Sequence, residues 1–112
     1  MTGVIAVLAS GGEFSLSITP TSQTRVGVTA SFRFGYEDVN VVGAISPTYL
    51  WSIVSPDPIG IWTIFSGQGT NSAVFDVAGA SPGDVVYCFA NCAVTSAGKT
   101  KNISAYLQYT RS

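Results

Sequence analysis

Along most of this chain apolar and polar residues alternate one for one, and Gly, Pro, Asn and Ser cut the alternation into short runs. No other sequence feature constrains the fold as much. Successive side chains of a strand point to opposite faces, so a two-residue period marks a half-buried β-strand. No stretch sustains the three-to-four spacing of an amphipathic helix.

Phe14, Leu16 and Ile18 open the series, which Pro20 stops. Val26, Val28, Ala30, Phe32 and Phe34 predict one long second strand with a single apolar face. Residues 35–47, with Glu37, Asp38, Asn40 and Pro47, read as a long connection. Residues 49–54 predict a third strand with Trp51 near its middle, 61–65 a fourth and 73–77 a fifth. After the turn Ser81-Pro82-Gly83-Asp84, residues 85–95 make a sixth. Residues 102–110 make a seventh, with Ile103, Ala105, Leu107 and Tyr109 on one face. With 112 residues there is room for one core. The expectation is an all-β, seven-stranded immunoglobulin-like β-sandwich over residues 13–112, preceded by a short apolar N-terminal arm and glycine joint at 1–12.

The two cysteines help to orient the sixth strand. Cys88 and Cys92 are four apart, so their side chains share a face with Cα atoms roughly 13 Å from one another. A disulfide requires about 7 Å or less, so on an unbroken strand the two stay free. Val86, Cys88, Ala90, Cys92 and Val94 then form the inward row, packed with Trp51 and Phe32 in the core. Free buried thiols suit synthesis in a reducing compartment.

Charged residues make up only 10% of the chain, against about 25% in an average domain. Five Lys and Arg face six Asp and Glu, leaving a net charge of -1 and no basic patch to attract a phosphate backbone. Nucleic acid is therefore not an expected partner. The low charge fits a sandwich with a Ser/Thr/Asn surface, or one largely covered by neighbours. The apolar run Val4–Ala9 is too short to span a membrane and has no Lys or Arg before it, so it reads neither as an anchor nor as an export signal.

Residue types argue against catalysis. Without histidine there is no Ser-His or Cys-His pair, and two cysteines are too few to hold zinc. Gly67-Gln68-Gly69 lacks the lysine of a phosphate loop. Glu37 and Asp38, with Asp57, are the best candidates for calcium, although adjacent loop acids are more often simply solvated. Asp84 is better placed to hydrogen-bond its own turn than to bind a cation. Asn102-Ile103-Ser104 matches a glycosylation sequon, which has no use without export. The expectation is a chain that is not an enzyme and uses neither metal nor cofactor.

Two features point to an interface instead. Tyr87 and Phe89 fall on the outward face of the sixth strand, where aromatics suggest a covered surface. Val4, Ile5, Val7 and Leu8 form an apolar segment behind Ser10-Gly11-Gly12. It can add a strand to its own sheet or lie along a neighbour's edge, and the second is favoured because residues 14–18 already supply a first strand. Tyr36, Tyr49 and Trp62 would serve a carbohydrate-binding or host-surface-binding module if they were exposed.

Trp51-Ser52, Ser66-Gly67, Thr70, Ser81-Pro82-Gly83-Asp84, Tyr87 and the run Cys92-Ala93-Val94-Thr95-Ser96-Ala97-Gly98 together resemble the small Ig-like or PKD-like structural proteins of tailed bacteriophages. The usual Gly-Pro-Tyr before the tryptophan is here Ser46-Pro47-Thr48-Tyr49, and Ser96 replaces the common Asp of the last turn. The resemblance covers roughly residues 9–110, the length of one such domain. It implies a virion protein made in the host cytoplasm and present in multiple copies. That protein would be a capsid decoration or cement protein on the major capsid protein, or else a tail, collar or fibre accessory.

Overall fold

The computed structural model describes residues 13–112, and these are organised by nine strands. They are β1 (Ser15–Thr19), β2 (Ser22–Gly27), β3 (Phe32–Arg33), β4 (Glu37–Val42), β5 (Thr48–Asp57), β6 (Trp62–Ser66), β7 (Ser72–Val77), β8 (Val85–Ser96) and β9 (Lys99–Arg111). A four-stranded sheet has the order β2-β9-β8-β5. In the five-stranded sheet β1 pairs with β4, β4 and β3 pair with β7, and β6 pairs with β7. Phe32 lies opposite Val77 and Glu37 opposite Ala73, registers that continue one another with a single-residue offset. β3 and β4 therefore line the same edge of β7, interrupted at residues 34–36, and β6 lines the other edge. The two sheets pack face to face as a sandwich.

The chain changes sheets between β1 and β2. β1 pairs antiparallel with β4, whereas β2 pairs parallel with β9. Pro20 sits at the crossing, where its missing N–H ends the first ladder.

The expected second strand over residues 26–34 is in fact two strands in different sheets. β2 stops at Gly27, where a Cβ would lie 2.6 Å from the Tyr109 hydroxyl. That hydroxyl donates to Thr29 O at 2.7 Å and holds the segment that carries the chain across to β3. Val26 and Val28 are consequently exposed, while Phe34 is buried. Phe32, expected in the core, is only partly buried at its margin, stacked on Tyr109 at 5.0 Å and edge-on to Phe34 at 5.1 Å.

The expected connection over residues 35–47 contains β4, an interior strand of the five-stranded sheet. Its inward row is Glu37, Val39 and Val41, with Glu37 and Val39 fully buried and Val41 partly so.

β8 and β9 form the long hairpin on which the rest is assembled, with twelve paired positions. Val86, Cys88, Ala90, Cys92 and Val94 of β8 are buried, as are Ala105, Leu107 and Tyr109 of β9. Trp51 lies opposite Cys92 in the ladder and packs edge-on to Phe75 of the other sheet at 5.8 Å. Its indole N–H donates to Thr70 O at 2.7 Å, so burial leaves no polar atom of the ring unsatisfied. A buried aromatic of this kind stabilises the fold by ~2–3 kcal/mol. Both thiols are free and buried, and desolvation pushes Cys88 up to about 12 and Cys92 to about 11. They act as small hydrophobes that stay uncharged at neutral pH.

On its side away from β8, β5 has no strand partner among the described residues. Gln68 reaches this edge from the turn after β6: its carboxamide accepts from Trp51 N and donates to Trp51 O, each at 2.8 Å.

Candidate docking face

The outward side chains of the four-stranded sheet form a continuous surface with very little charge. Val54 of β5 lies beside Phe89 of β8, which lies beside Tyr106 of β9, which lies beside Ser22 of β2. The next row is Asp57, Tyr87, Gln108 and Thr24. Tyr106 meets Phe89 edge-on at 5.5 Å and Tyr87 at 6.1 Å, so three rings from two strands form one central patch. Val26, Leu50, Val54, Val85 and Phe89 on this face are exposed, from 42% for Phe89 to 67% for Val26.

Around the rings the polar groups are neutral. Asn91 Nδ2 donates to Asn102 Oδ1 at 3.1 Å, Thr95 and Thr100 pair through their hydroxyls at 2.8 Å, and the Tyr106 hydroxyl donates to Gln108 Oε1 at 2.7 Å. Asp57, at the bulged end of β5, is the one charged residue on the face among the described residues. Its carboxylate lies beside Tyr87 in the ladder and raises the pKa of that hydroxyl.

The five cations of the chain all point elsewhere. Lys99, Lys101 and Arg111 occupy the opposite row of β9, where each reaches back toward the other side of the sandwich. Their partners are Glu13 Oε2 at 2.8 Å, Phe14 O at 2.6 Å and Ala80 O at 2.6 Å. Arg25 shares the buried side of β2 with Gln23, to whose Oε1 it donates at 3.2 Å. Arg33 belongs to the five-stranded sheet, paired with Asp76 at 2.9 Å and lying 3.4 Å over the Phe65 ring. Period two explains this sorting: on β9 every cation falls in an odd position and every outward residue in an even one.

The other sequence candidates scatter. Glu37 and Asp38 point to opposite faces of β4, Glu37 into the core and Asp38 outward onto the Ser72 hydroxyl. Asp57 belongs to the other sheet, so the three acids considered as calcium ligands do not meet. Among the described residues no three His, Cys, Asp or Glu side chains are grouped to hold a metal ion. Asp84 Oδ2 accepts from Ser81 N at 2.8 Å, the own-turn hydrogen bond. Of the three aromatics that would serve a sugar-binding module if exposed, Trp62 is buried and Tyr49 packs against the core, leaving only Tyr36 exposed. Val4, Ile5, Val7 and Leu8 lie outside the described residues.

Tyr87 and Phe89 thus lie in one patch with Tyr106, Val54, Leu50 and Val85, residues the sequence reading did not single out. Their signal was present in the even positions of residues 102–110, where Tyr106 and Gln108 stand among Ser and Thr. It becomes visible only when that row is placed beside the outward row of β8. No protein-family model matches the chain, and no curated protein matches it significantly.

Proposed function

We propose that this chain is a non-enzymatic virion protein that decorates or cements the capsid of a tailed bacteriophage, synthesised in the host cytoplasm and assembled in many copies. The observation that carries a structural role is the outer face of the four-stranded sheet, with an aromatic centre, exposed Leu and Val, and Asp57 as its one charge among the described residues. A surface of that composition is suited to contact with protein rather than to permanent exposure. The phage assignment rests on the sequence resemblance given above.

An immunoglobulin-like topology is part of the proposal. It is supported by the sheet order β2-β9-β8-β5, by the strand that switches sheets at Pro20, and by Trp51 on β5 packed across the core. Attachment to the particle is assigned to the apolar segment Val4–Leu8, lying along the edge of a strand of the major capsid protein. Repetition over a symmetric shell gives a weak individual contact high avidity.

The test is to mix the purified protein with particles that lack it and image them by electron microscopy. Density in a regular lattice over the shell is the expected result. Density confined to the tail or neck would make the chain an accessory protein of those parts. No density at all would overturn the virion reading in favour of a free binding module.

A further inference from the structure

We infer that the outer face of the four-stranded sheet is closed by a second copy of this chain, as a two-fold dimer centred on Phe89 and Tyr106. The inference deepens the proposal above, because it rests on that face being covered by protein and names what covers it.

Three properties of the face select a second copy. The first is charge. A partner recognised electrostatically needs complementary charges, and among the described residues this face offers only Asp57, at its periphery. Meeting its own image therefore costs almost no like-charge repulsion, although each chain carries a net charge of -1. The second is hydrogen-bonding chemistry. The polar groups around the rings are hydroxyls and carboxamides, as in Asn91, Asn102 and Gln108, and each both donates and accepts. Such groups are complementary to themselves, as an isologous interface requires. The third is size. Four strands about 4.8 Å apart and about ten residues long at ~3.3 Å each give a face of roughly 600 Å². Two copies then bury about 1,200 Å², at the threshold of a specific, stable interface. The ring cluster lies near the middle of that area, where aromatic anchors contribute most to affinity.

The geometry also determines which residue tests the inference. Phe89 is exposed and points away from the core, so a charge there leaves the sandwich packing intact. Near a two-fold axis it approaches its own symmetry mate. Phe89→Lys and Phe89→Glu should each raise the dimer dissociation constant at least roughly thirtyfold, while an equal mixture of the two should re-form a dimer from unlike chains.

Sedimentation velocity of the full chain over a concentration series reads this directly, with circular dichroism confirming that each variant is folded. Wild-type protein is expected to sediment with the mass of two chains, each Phe89 variant with the mass of one, and the mixture again with two. Wild-type protein that stays monomeric throughout the series would overturn the inference. So would a dimer that survives both Phe89 substitutions, or variants that do not re-associate on mixing. Val54→Lys, on the neighbouring strand of the same patch, provides the same test if a Phe89 variant does not fold. Particle imaging separates the two proposals. A monomer that still coats particles removes the dimer and leaves the virion reading, whereas a dimer that coats none removes the virion reading and leaves the dimer.

Discussion

Glu37 is fully buried between the sheets with one oxygen satisfied. Gln23 Nε2 donates to its Oε1 at 2.9 Å and to Gly35 O at 3.1 Å, while Oε2 has no hydrogen-bond partner. Desolvation raises its pKa from 4.5 to about 7, opposed by the Gln23 hydrogen bond, reinforced by Asp38 and opposed again by Arg25. The folded chain therefore holds a proton there that the unfolded chain releases. The resulting stability is fully present below about pH 4.5 and is lost as the pH rises through about 7, amounting to up to ~3 kcal/mol. Glu37→Gln keeps a neutral side chain of the same shape. It should leave the melting temperature near pH 4.5 almost unchanged, raise it at pH 8, and flatten the slope between them. Parallel thermal denaturation of both proteins across that range measures the effect; equal slopes would show that Glu37 is not the group responsible. This residue also concealed a strand. A glutamate beside an aspartate suggests a solvated loop, so the alternation of Glu37 with Val39 and Val41 carried no weight in the sequence, although it is the inward row of β4.

At the level of elements, alternation identified the strands wherever one sheet contains the whole run. Residues 49–54, 73–77, 85–95 and 102–110 all lie in strands, as do 62–65 of the expected 61–65, and the inward row of β8 is the one that the cysteine spacing implies. The period failed between 26 and 34, where apolar residues keep alternating while the backbone leaves one sheet for the other. Periodicity records which side of a ribbon a residue occupies but not which ribbon, and the crossing is set by the contact of Gly27 with Tyr109, distant in sequence. Turns are more local. Gly67 has a φ of +92°, and a Cβ there would come within 2.0 Å of Ser72 O. Gly67→Ala should therefore cost roughly 3 kcal/mol or more from backbone strain and overpacking. A matching alanine at Gly69, which has a similar φ but open space around it, shares the backbone strain and so isolates the steric overlap. Urea denaturation of the two should place Gly67→Ala well below Gly69→Ala; equal midpoints would remove the steric argument.

For the whole molecule, the main result is the separation of charge. Arg33, Asp38 and Asp76 lie in the five-stranded sheet, Lys99, Lys101 and Arg111 reach back across the sandwich from the inward row of β9, and Arg25 bonds to Gln23 on the inward row of β2. The sequence already showed that charge was scarce, but not that it was one-sided, because the arrangement depends on which strands are neighbours. The proposed particle attachment is assigned to another part of the chain. Deletion of residues 1–12 should leave the sandwich folded, as read by circular dichroism, and abolish co-sedimentation with particles. Undiminished co-sedimentation would remove Val4–Leu8 from the attachment surface.

The carboxamide of Gln68 has a consequence for how such a molecule behaves in a crowd. By occupying both backbone groups of Trp51, it fills the place where a neighbour's strand would begin to pair along β5. A ten-residue strand with an open border can seed an endless ribbon of like molecules. With Trp51 occupied by one side chain, pairing along this edge is interrupted near its middle, and contacts through flat faces that close on themselves remain available. Gln68 thus guards one open strand edge in a chain whose surface has little charge to keep its copies apart.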